Sequence, residues 1–155
     1  MIRVDQQIDE RLFERIRSRR LPFQGTFELT RRCNLRCSYC YVGFDWKISP
    51  EEELSREEIY SLLDQVAAAG CLFLTFTGGE PLSREDFPAI YSYAVQKGIK
   101  VVIFTNGTLI DRTLAALFRE QPPLYLEITM PGISEEVYER VTGVKGSYER
   151  FRKAL

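Results

Sequence analysis

The sequence predicts an α/β protein built from about four β-then-α units around a parallel sheet. Three observations predict this class: short apolar runs recur along the chain, amphipathic segments with helix-capping residues lie between them, and polar motifs fall where the runs end. Continuous apolar strands covered by amphipathic helices are typical of parallel sheets, so we expect both faces of the sheet to be buried.

The predicted elements follow one another in a regular order. The apolar residues from Ile8 to Ile16 have helical spacing and form a narrow stripe, and residues 1–25 are predicted to be a helical lead-in. Strands are predicted at 26–30, 71–76, 101–104 and 124–129. Capping residues place the helix starts at Ser55 (with Glu58 in a capping box), Ser83 or Asp86, about Asp111, Ser134 and Ser147.

Length and composition describe a globular domain of ordinary size. The chain has 155 residues, of which 45% are apolar and 28% charged, enough for a sizeable core. A formal net charge of −1 gives no electrostatic reason to expect nucleic acid or an anionic membrane as a partner. The apolar runs are too short to cross a membrane, and four cysteines without a signal peptide fit a reducing cytoplasm.

Three of the four cysteines form a compact motif directly after the first predicted strand. Cys33, Cys37 and Cys40 have the spacing C-x3-C-x2-C. Thiolates at this spacing in a loop can converge on one face of a small metal cluster. Three ligands suit a [4Fe–4S] cluster, because its fourth iron is then open to bind another molecule.

Other uses of these cysteines stay open on spacing alone. A zinc site would need a fourth protein ligand; the chain has no histidine, and Cys71 lies in an apolar run where cysteine usually acts as a small hydrophobe. Disulfides between such closely spaced residues would be strained. On spacing alone, the cysteines could therefore also belong to an iron–sulfur or zinc-binding module that has no catalytic role.

A second motif, Thr77-Gly78-Gly79-Glu80-Pro81, ends the second apolar run. Adjacent glycines at the carboxyl end of a strand let backbone groups approach a ligand closely, although alone they are more simply a Gly-Gly turn. Glu80 adds a carboxylate that can meet a cation, and Pro81 stiffens the exit of the strand. Because the carboxyl ends of parallel strands meet at one edge, we expect these residues, the cysteines and Asn106 to collect there.

Together, the two motifs resemble those of the radical S-adenosylmethionine (radical SAM) family. Further matches follow in the family's order, with Leu29-Thr30 before the cysteines and Thr105-Asn106-Gly107-Thr108-Leu109 after the third strand. The resemblance runs from about residue 26 to the end. It implies a partial (βα)6, TIM-like barrel of which residues 26–155 are the N-terminal portion, so we expect a core that stops before the barrel is complete.

The resemblance also implies a reaction. The three cysteines would hold a [4Fe–4S] cluster whose fourth iron binds the amine and carboxylate of S-adenosylmethionine (SAM). One electron would cleave SAM to methionine and a 5′-deoxyadenosyl radical, which takes a hydrogen atom from the substrate. The chain would then be part of an enzyme, and this portion alone could bind the cluster yet lack the substrate pocket needed for activity.

Cofactor-binding roles carried over by position fall on all the strand ends. They are Tyr39 near the adenine, Gly78, Gly79 and Glu80 with the adjoining Pro81 at the methionyl amine, Asn106 at the ribose, and Thr129 at the carboxylate. For Asn106 the alternative is that it only shapes a turn. Pro131 stands where relatives often carry an acid, so any role of that acid is absent or moved.

The branch of the family is indicated by Cys40-Tyr41, the Thr-Asn-Gly-Thr-Leu segment and residues 141–148. These look most like enzymes with a C-terminal SPASM or twitch extension, which modify peptides or proteins. Small-molecule enzymes similar to molybdopterin-pathway GTP cyclases are the alternative, with glycyl-radical activating enzymes as a weaker option. The implied partners are a peptide, protein or small-molecule substrate, a reductant such as a flavodoxin or ferredoxin, and the missing C-terminal region of the same enzyme.

Overall fold

Four strands form a single parallel sheet whose order, β1-β2-β3-β4, follows the sequence. The structure is a computed structural model that describes residues 6–43, 49 and 52–155; residues 1–5 of the predicted lead-in lie outside this range. The strands are β1 Gln24–Thr30, β2 Phe73–Gly78, β3 Lys100–Thr105 and β4 Tyr125–Ile128. The helices are α1 Gln6–Arg19, α2 Arg56–Ala68, α3 Phe87–Gln96, α4 Arg112–Glu120, α5 Glu135–Thr142 and α6 Ser147–Ala154, with a 3-10 turn at Pro81–Ser83.

Local capping chemistry sets most of the helix starts, as predicted. Ser55 and Glu58 form a complete capping box at α2, and the side chains of Asp111 and Ser134 accept backbone N–H groups at the starts of α4 and α5. Asp86 precedes α3 but makes no cap bond, because Arg84 donates twice to its carboxylate at 2.8 Å.

Strand β2 lies two residues later in the chain than predicted. The amides of Leu72 and Phe73 both donate to the carbonyl of Phe23, which precedes β1. At its other end β2 continues into the motif glycine Gly78, which pairs with Thr30. The first glycine of the motif is therefore part of the sheet and not of the turn after it.

The core lies on one face of the sheet, between the strands and helices α2, α3 and α4. Alternate strand residues, Leu29, Leu74, Phe76, Val101 and Ile103, are buried there with Cys71. On the other face, Thr75 and Val102 of the central strands are half-buried, and the exposed residues are Thr26, Glu28, Phe104, Tyr125 and Glu127.

The expectation that both faces are buried is therefore wrong for the described part of the chain. Consecutive right-handed crossovers in a sheet of order β1-β2-β3-β4 put the connecting helices on one side, as in a barrel. The open face corresponds to the inside of such a barrel. Within the described ranges, no helix is long and apolar enough to cross a membrane.

Candidate functional site

A pocket opens at the carboxyl edge of the sheet. The loop of residues 31–43, here called the cysteine loop, forms one wall, and the ends of β2, β3 and β4 form the others. The predicted site residues that line the pocket are Cys33, Cys37, Tyr39, Cys40, Gly78, Gly79, Asn106 and Thr129. Glu80 and Pro81 are buried in the protein and do not line it.

The cysteine loop is held by backbone hydrogen bonds to the end of helix α5. The amide of Arg36 donates to the carbonyl of Thr142 at 2.8 Å, and the amide of Ser38 donates to the carbonyl of Val141 at 3.0 Å. Carbonyls in the last turn of a helix have no partner within the helix, so they are free to accept these bonds. No sequence signal pointed to this contact.

The three thiols of the motif are half-buried and unpaired by disulfides. Burial raises the pKa of Cys33 to about 11. The pKa of Cys37 is also raised, mainly by burial and further by the charge of the nearby Cys40. The side chain of Tyr39 shares a hydrogen bond with Cys37. Without metal the thiols of Cys33 and Cys37 therefore keep their protons, and metal binding releases them.

The site fits a cluster better than a single ion held by four ligands. Among residues 6–43, 49 and 52–155, no three His, Cys, Asp or Glu side chains are placed to hold one metal ion. A [4Fe–4S] cluster does not need such convergence, because each thiolate binds a different iron atom. Cys71 precedes the amino end of β2, at the opposite edge of the sheet, and its thiol donates to the carbonyl of Phe73 at 3.4 Å.

The two motif glycines let β2 approach the start of the cysteine loop. A Cβ atom on Gly78, whose φ is +131°, would lie 2.0 Å from the carbonyl oxygen of Thr30. A Cβ on Gly79 would lie 2.4 Å from the carbonyl oxygen of Arg32. Backbone hydrogen bonds fill this narrow space, from Gly79 to Thr30 at 2.8 Å and from Glu80 to Arg32 at 2.9 Å. The glycines therefore bring the cysteine loop and β2 together beside the pocket.

The Glu80 carboxylate ties the end of β2 to the end of β3. It accepts hydrogen bonds from the hydroxyl of Thr105 and the backbone N–H of Asn106, both at 2.7 Å, and from the backbone N–H of Leu82 at 3.0 Å. Burial raises the pKa of Glu80, and these hydrogen bonds oppose that shift. Since the carboxylate is used by protein donors, its contact with a methionyl amine stays a prediction.

Asn106 reaches the pocket between β3 and the cysteine loop. Its side-chain nitrogen donates to Asn34 Oδ1 at 2.9 Å and lies 3.9 Å from Cys33 Sγ, while its Oδ1 accepts from the backbone of Thr108 at 2.9 Å. The amide thus joins two loops as well as shaping its own turn. A contact with a ribose stays a prediction.

Tyr39 lines the pocket from the cysteine loop, and Thr129 lines it from just beyond β4. Tyr39 is 54% exposed, so its ring is free to cover a ligand. Thr129 is also exposed, and its backbone N–H donates to the carbonyl of Thr105 at 3.0 Å, which holds it just beyond β4. Their contacts with adenine and carboxylate stay predictions.

A buried ion network anchors the start of the cysteine loop and was not predicted. Glu53 Oε2 lies 2.9 Å from Arg32 Nη2 and 3.6 Å from Arg84 Nη1. Arg84 also donates to the carbonyl of Leu29 at 3.1 Å. Burial alone would raise the pKa of Glu53, but the hydrogen bond from Arg32 and the neighbouring charges lower it. The partners are far apart in sequence, so no local pattern reveals them.

Comparison with known proteins identifies the family. The family model described as the Radical SAM superfamily matches residues 27–155. The chain is 40% identical over 129 residues to Fe-coproporphyrin III synthase of Methanosarcina barkeri, covering 83% of this chain and 32% of that protein. It is 33% identical over 138 residues to the antilisterial bacteriocin subtilosin biosynthesis protein AlbA of Bacillus subtilis, covering 87% of this chain and 30% of that protein.

A solved structure shares the fold. Streptococcus suis SuiB bound to S-adenosylmethionine aligns with a TM-score of 0.69 and 18% identity, covering 96% of this chain and 33% of that one. The four parallel strands and their helices match the N-terminal part of the radical SAM barrel. The chain spans about a third of the length of the curated relatives it matches. With most of its length matched by the family model, the chain belongs to the radical SAM superfamily.

Proposed function

We propose that this chain is the cluster- and SAM-binding part of a radical SAM enzyme. The family uses a [4Fe–4S] cluster and SAM. The observation that carries the proposal for this chain is that Cys33, Cys37 and Cys40 share one pocket with the motif glycines Gly78 and Gly79. When bound, the cluster supplies the electron that cleaves SAM to methionine and a 5′-deoxyadenosyl radical.

Within the pocket, the protein's part is to bind and orient. The three thiolates hold the cluster, and backbone groups of Gly78 and Gly79 meet the polar methionyl end of SAM. Tyr39 covers the adenine and Thr129 meets the carboxylate. Glu80 acts from behind the pocket, because its carboxylate fixes the ends of β2 and β3 on which the other groups stand.

We propose that residues 26–155 form the first part of the barrel and 1–25 a lead-in. A C-terminal region would complete the barrel and, in the SPASM or twitch branch, carry further clusters. The relatives' greater length supports this division. A reductant such as a flavodoxin or ferredoxin would supply the electron, and an oxygen-sensitive cluster suits a reducing cytoplasm.

For the substrate, we propose a peptide or protein. The support is the likeness to AlbA, whose name describes biosynthesis of a bacteriocin. The second candidate is a small molecule of the tetrapyrrole class, favoured by the 40% identity to Fe-coproporphyrin III synthase. Arg31 also lines the pocket, where it suits an acidic group of either substrate. The GTP cyclase alternative stays a prediction.

Anaerobic reconstitution with iron and sulfide tests the proposal for the site. We expect the wild-type chain and Cys71→Ala to take up a [4Fe–4S] cluster and Cys37→Ala to lose it, because Cys37 lines the pocket whereas Cys71 lies in the core. Iron and sulfide content and the absorption spectrum measure uptake. A full cluster spectrum in Cys37→Ala would refute the ligand assignment.

Cleavage of SAM is tested next, with dithionite as the reductant and chromatography of 5′-deoxyadenosine as the readout. Product above the Cys37→Ala control would establish radical cleavage. A cluster without product would assign cleavage to the longer protein. In that protein, product formation stimulated by a precursor peptide or by an iron porphyrin carboxylate would decide between the two substrate classes.

A further inference from the structure

Three side chains between β3 and the cysteine loop form a closed ring of hydrogen bonds. Asn106 Nδ2 donates to Asn34 Oδ1 at 2.9 Å, Asn34 Nδ2 donates to Thr108 Oγ1 at 2.7 Å, and the Thr108 hydroxyl donates to Asn106 Oδ1 at 2.6 Å. Each member donates once and accepts once within the ring. Such cyclic arrangements polarise one another, so the ring is expected to hold its members in fixed orientations.

The orientation of the Asn106 amide follows from a neighbour that can only donate. The backbone N–H of Thr108 lies 2.9 Å from Asn106 Oδ1, so this atom must be the oxygen. The side-chain nitrogen then faces Asn34 and Cys33. The backbone N–H of Asn106 donates to Glu80 Oε2 at 2.7 Å. Asn106 is thus fixed at its backbone and at both atoms of its amide.

The fixed amide points a donor at one of the three cysteines. Asn106 Nδ2 lies 3.9 Å from Cys33 Sγ, and the backbone N–H of Leu35 donates to the same sulfur at 3.4 Å. Sulfur is a large, weak acceptor, so its hydrogen bonds are longer than those to oxygen. A thiolate bound to iron carries negative charge, which strengthens such bonds.

We propose that Asn106 is a positioning residue that sets the reduction potential of the cluster through its N–H donor to Cys33 Sγ. This inference rests on the proposed function, because it needs a cluster on Cys33. Reduction adds negative charge to the cluster and its sulfurs, so a nearby donor stabilises the reduced form and raises the potential. The backbone N–H of Thr108 accounts for the orientation of the amide, so the donor stays beside the sulfur even without the Thr108 side chain.

The test compares two variants of the reconstituted chain. Asn106→Leu keeps the side-chain volume and removes the donor to Cys33. Thr108→Val opens the same ring but keeps the backbone N–H that donates to Asn106 Oδ1, so the Asn106 amide stays next to the sulfur. We expect both variants to unfold at a lower temperature, because both break the ring. Only Asn106→Leu should lower the reduction potential of the cluster. We expect a drop of ~59 mV, which corresponds to a tenfold shift of the one-electron equilibrium toward the oxidised cluster.

Potentiometric titration followed by electron paramagnetic resonance measures the potential, and calorimetry measures the unfolding temperature. Equal reduction potentials in the wild type and Asn106→Leu would overturn the inference. If Asn106→Leu also bound SAM more weakly, Asn106 would instead be a residue that contacts SAM. A wild-type chain that takes up no cluster would overturn the proposed function as well. If Asn106→Leu does not fold, Asn106→Asp replaces it in the test, because aspartate keeps the acceptor for Thr108 and removes the donor to Cys33. An unchanged or raised reduction potential in Asn106→Asp would overturn the inference.

Discussion

At the scale of single residues, position 79 of the motif requires glycine because there is no space for a Cβ atom. Its φ is not in the left-handed region, so backbone strain is not the cause. The cause is the carbonyl oxygens of Arg31 and Arg32, which would lie 2.7 and 2.4 Å from an added Cβ. Backbone atoms cannot rotate away as a side chain can, so the strand or the loop must move.

We predict that Gly79→Ala lowers stability by about 1–3 kcal/mol, as overpacking does, and reduces iron uptake because the cysteine loop is displaced. Gly25→Ala is the matched control. It lies in β1, and its Cβ would meet only Leu74 Cδ1 at 3.4 Å, an ordinary contact. Calorimetry and iron analysis of both variants check this. Equal losses, or full iron uptake in Gly79→Ala, would contradict the account.

Sequence patterns alone could not assign this role. They allowed a plain turn or a close approach to a ligand, and both readings place Gly78 and Gly79 correctly at a strand end. The atoms they approach belong to Thr30 and Arg32, far earlier in the chain. The same limit applies to Glu80, whose identity is evident in the motif but whose three donors come from two different strand ends.

At the scale of elements, helix α5 supports the cysteine loop through two backbone hydrogen bonds. It ends with Gly143 in the left-handed conformation, at φ +66°, and Gly143 donates to the carbonyl of Glu139 at 2.8 Å. This ending leaves the carbonyls of Val141 and Thr142 free to accept from the loop. A Cβ on Gly143 would lie 3.0 Å from the carbonyl oxygen of Arg36.

We predict that Gly143→Ala loosens the cysteine loop, whereas Gly146→Ala does not. Both glycines have positive φ, so both substitutions cost about 1 kcal/mol of backbone strain. Only the first also presses on the loop, since nothing lies within 4 Å of a Cβ on Gly146. Hydrogen exchange at the amides of Arg36 and Ser38 should be faster in Gly143→Ala. Equal exchange in the two variants would show that α5 does not hold the loop.

How far the elements could be predicted depends on whether their signals are local. The starts of α2, α4 and α5 were readable because each cap involves residues three apart in sequence. For α3 the sequence offers both Ser83 and Asp86 as caps, and in the structure Arg84 binds the carboxylate of Asp86 instead. The docking of α5 on the cysteine loop joins segments about a hundred residues apart, and no local pattern encodes such a contact.

At the scale of the whole molecule, the sheet has one covered face and one open face. The same apolar alternation that predicted a parallel sheet does not say how many faces the helices cover. The strand order decides this, because consecutive crossovers of one hand keep the helices on one side. Around the open face and beyond β4, large apolar side chains are exposed: Phe104 41%, Met130 54%, Tyr125 62% and Ile133 84%.

The open edge at β4 gives a prediction about association. In the described part of the chain β4 pairs only with β3, so its outer edge offers unpaired backbone groups beside the exposed ring of Tyr125. We expect the 155-residue chain to self-associate through this edge and Tyr125→Lys to weaken that association, because a charge at a sheet edge opposes pairing.

Sedimentation velocity over a range of concentrations measures this association. Leu62→Lys is the matched control, since Leu62 lies on α2 at the covered side of the sheet and is exposed to a smaller extent, 37%. We expect the control to associate like the wild type. If Tyr125→Lys associates as strongly as the wild type, the β4 edge is not the contact. If a longer chain containing residues 1–155 does not associate and is destabilised by Tyr125→Lys, the added region covers this edge.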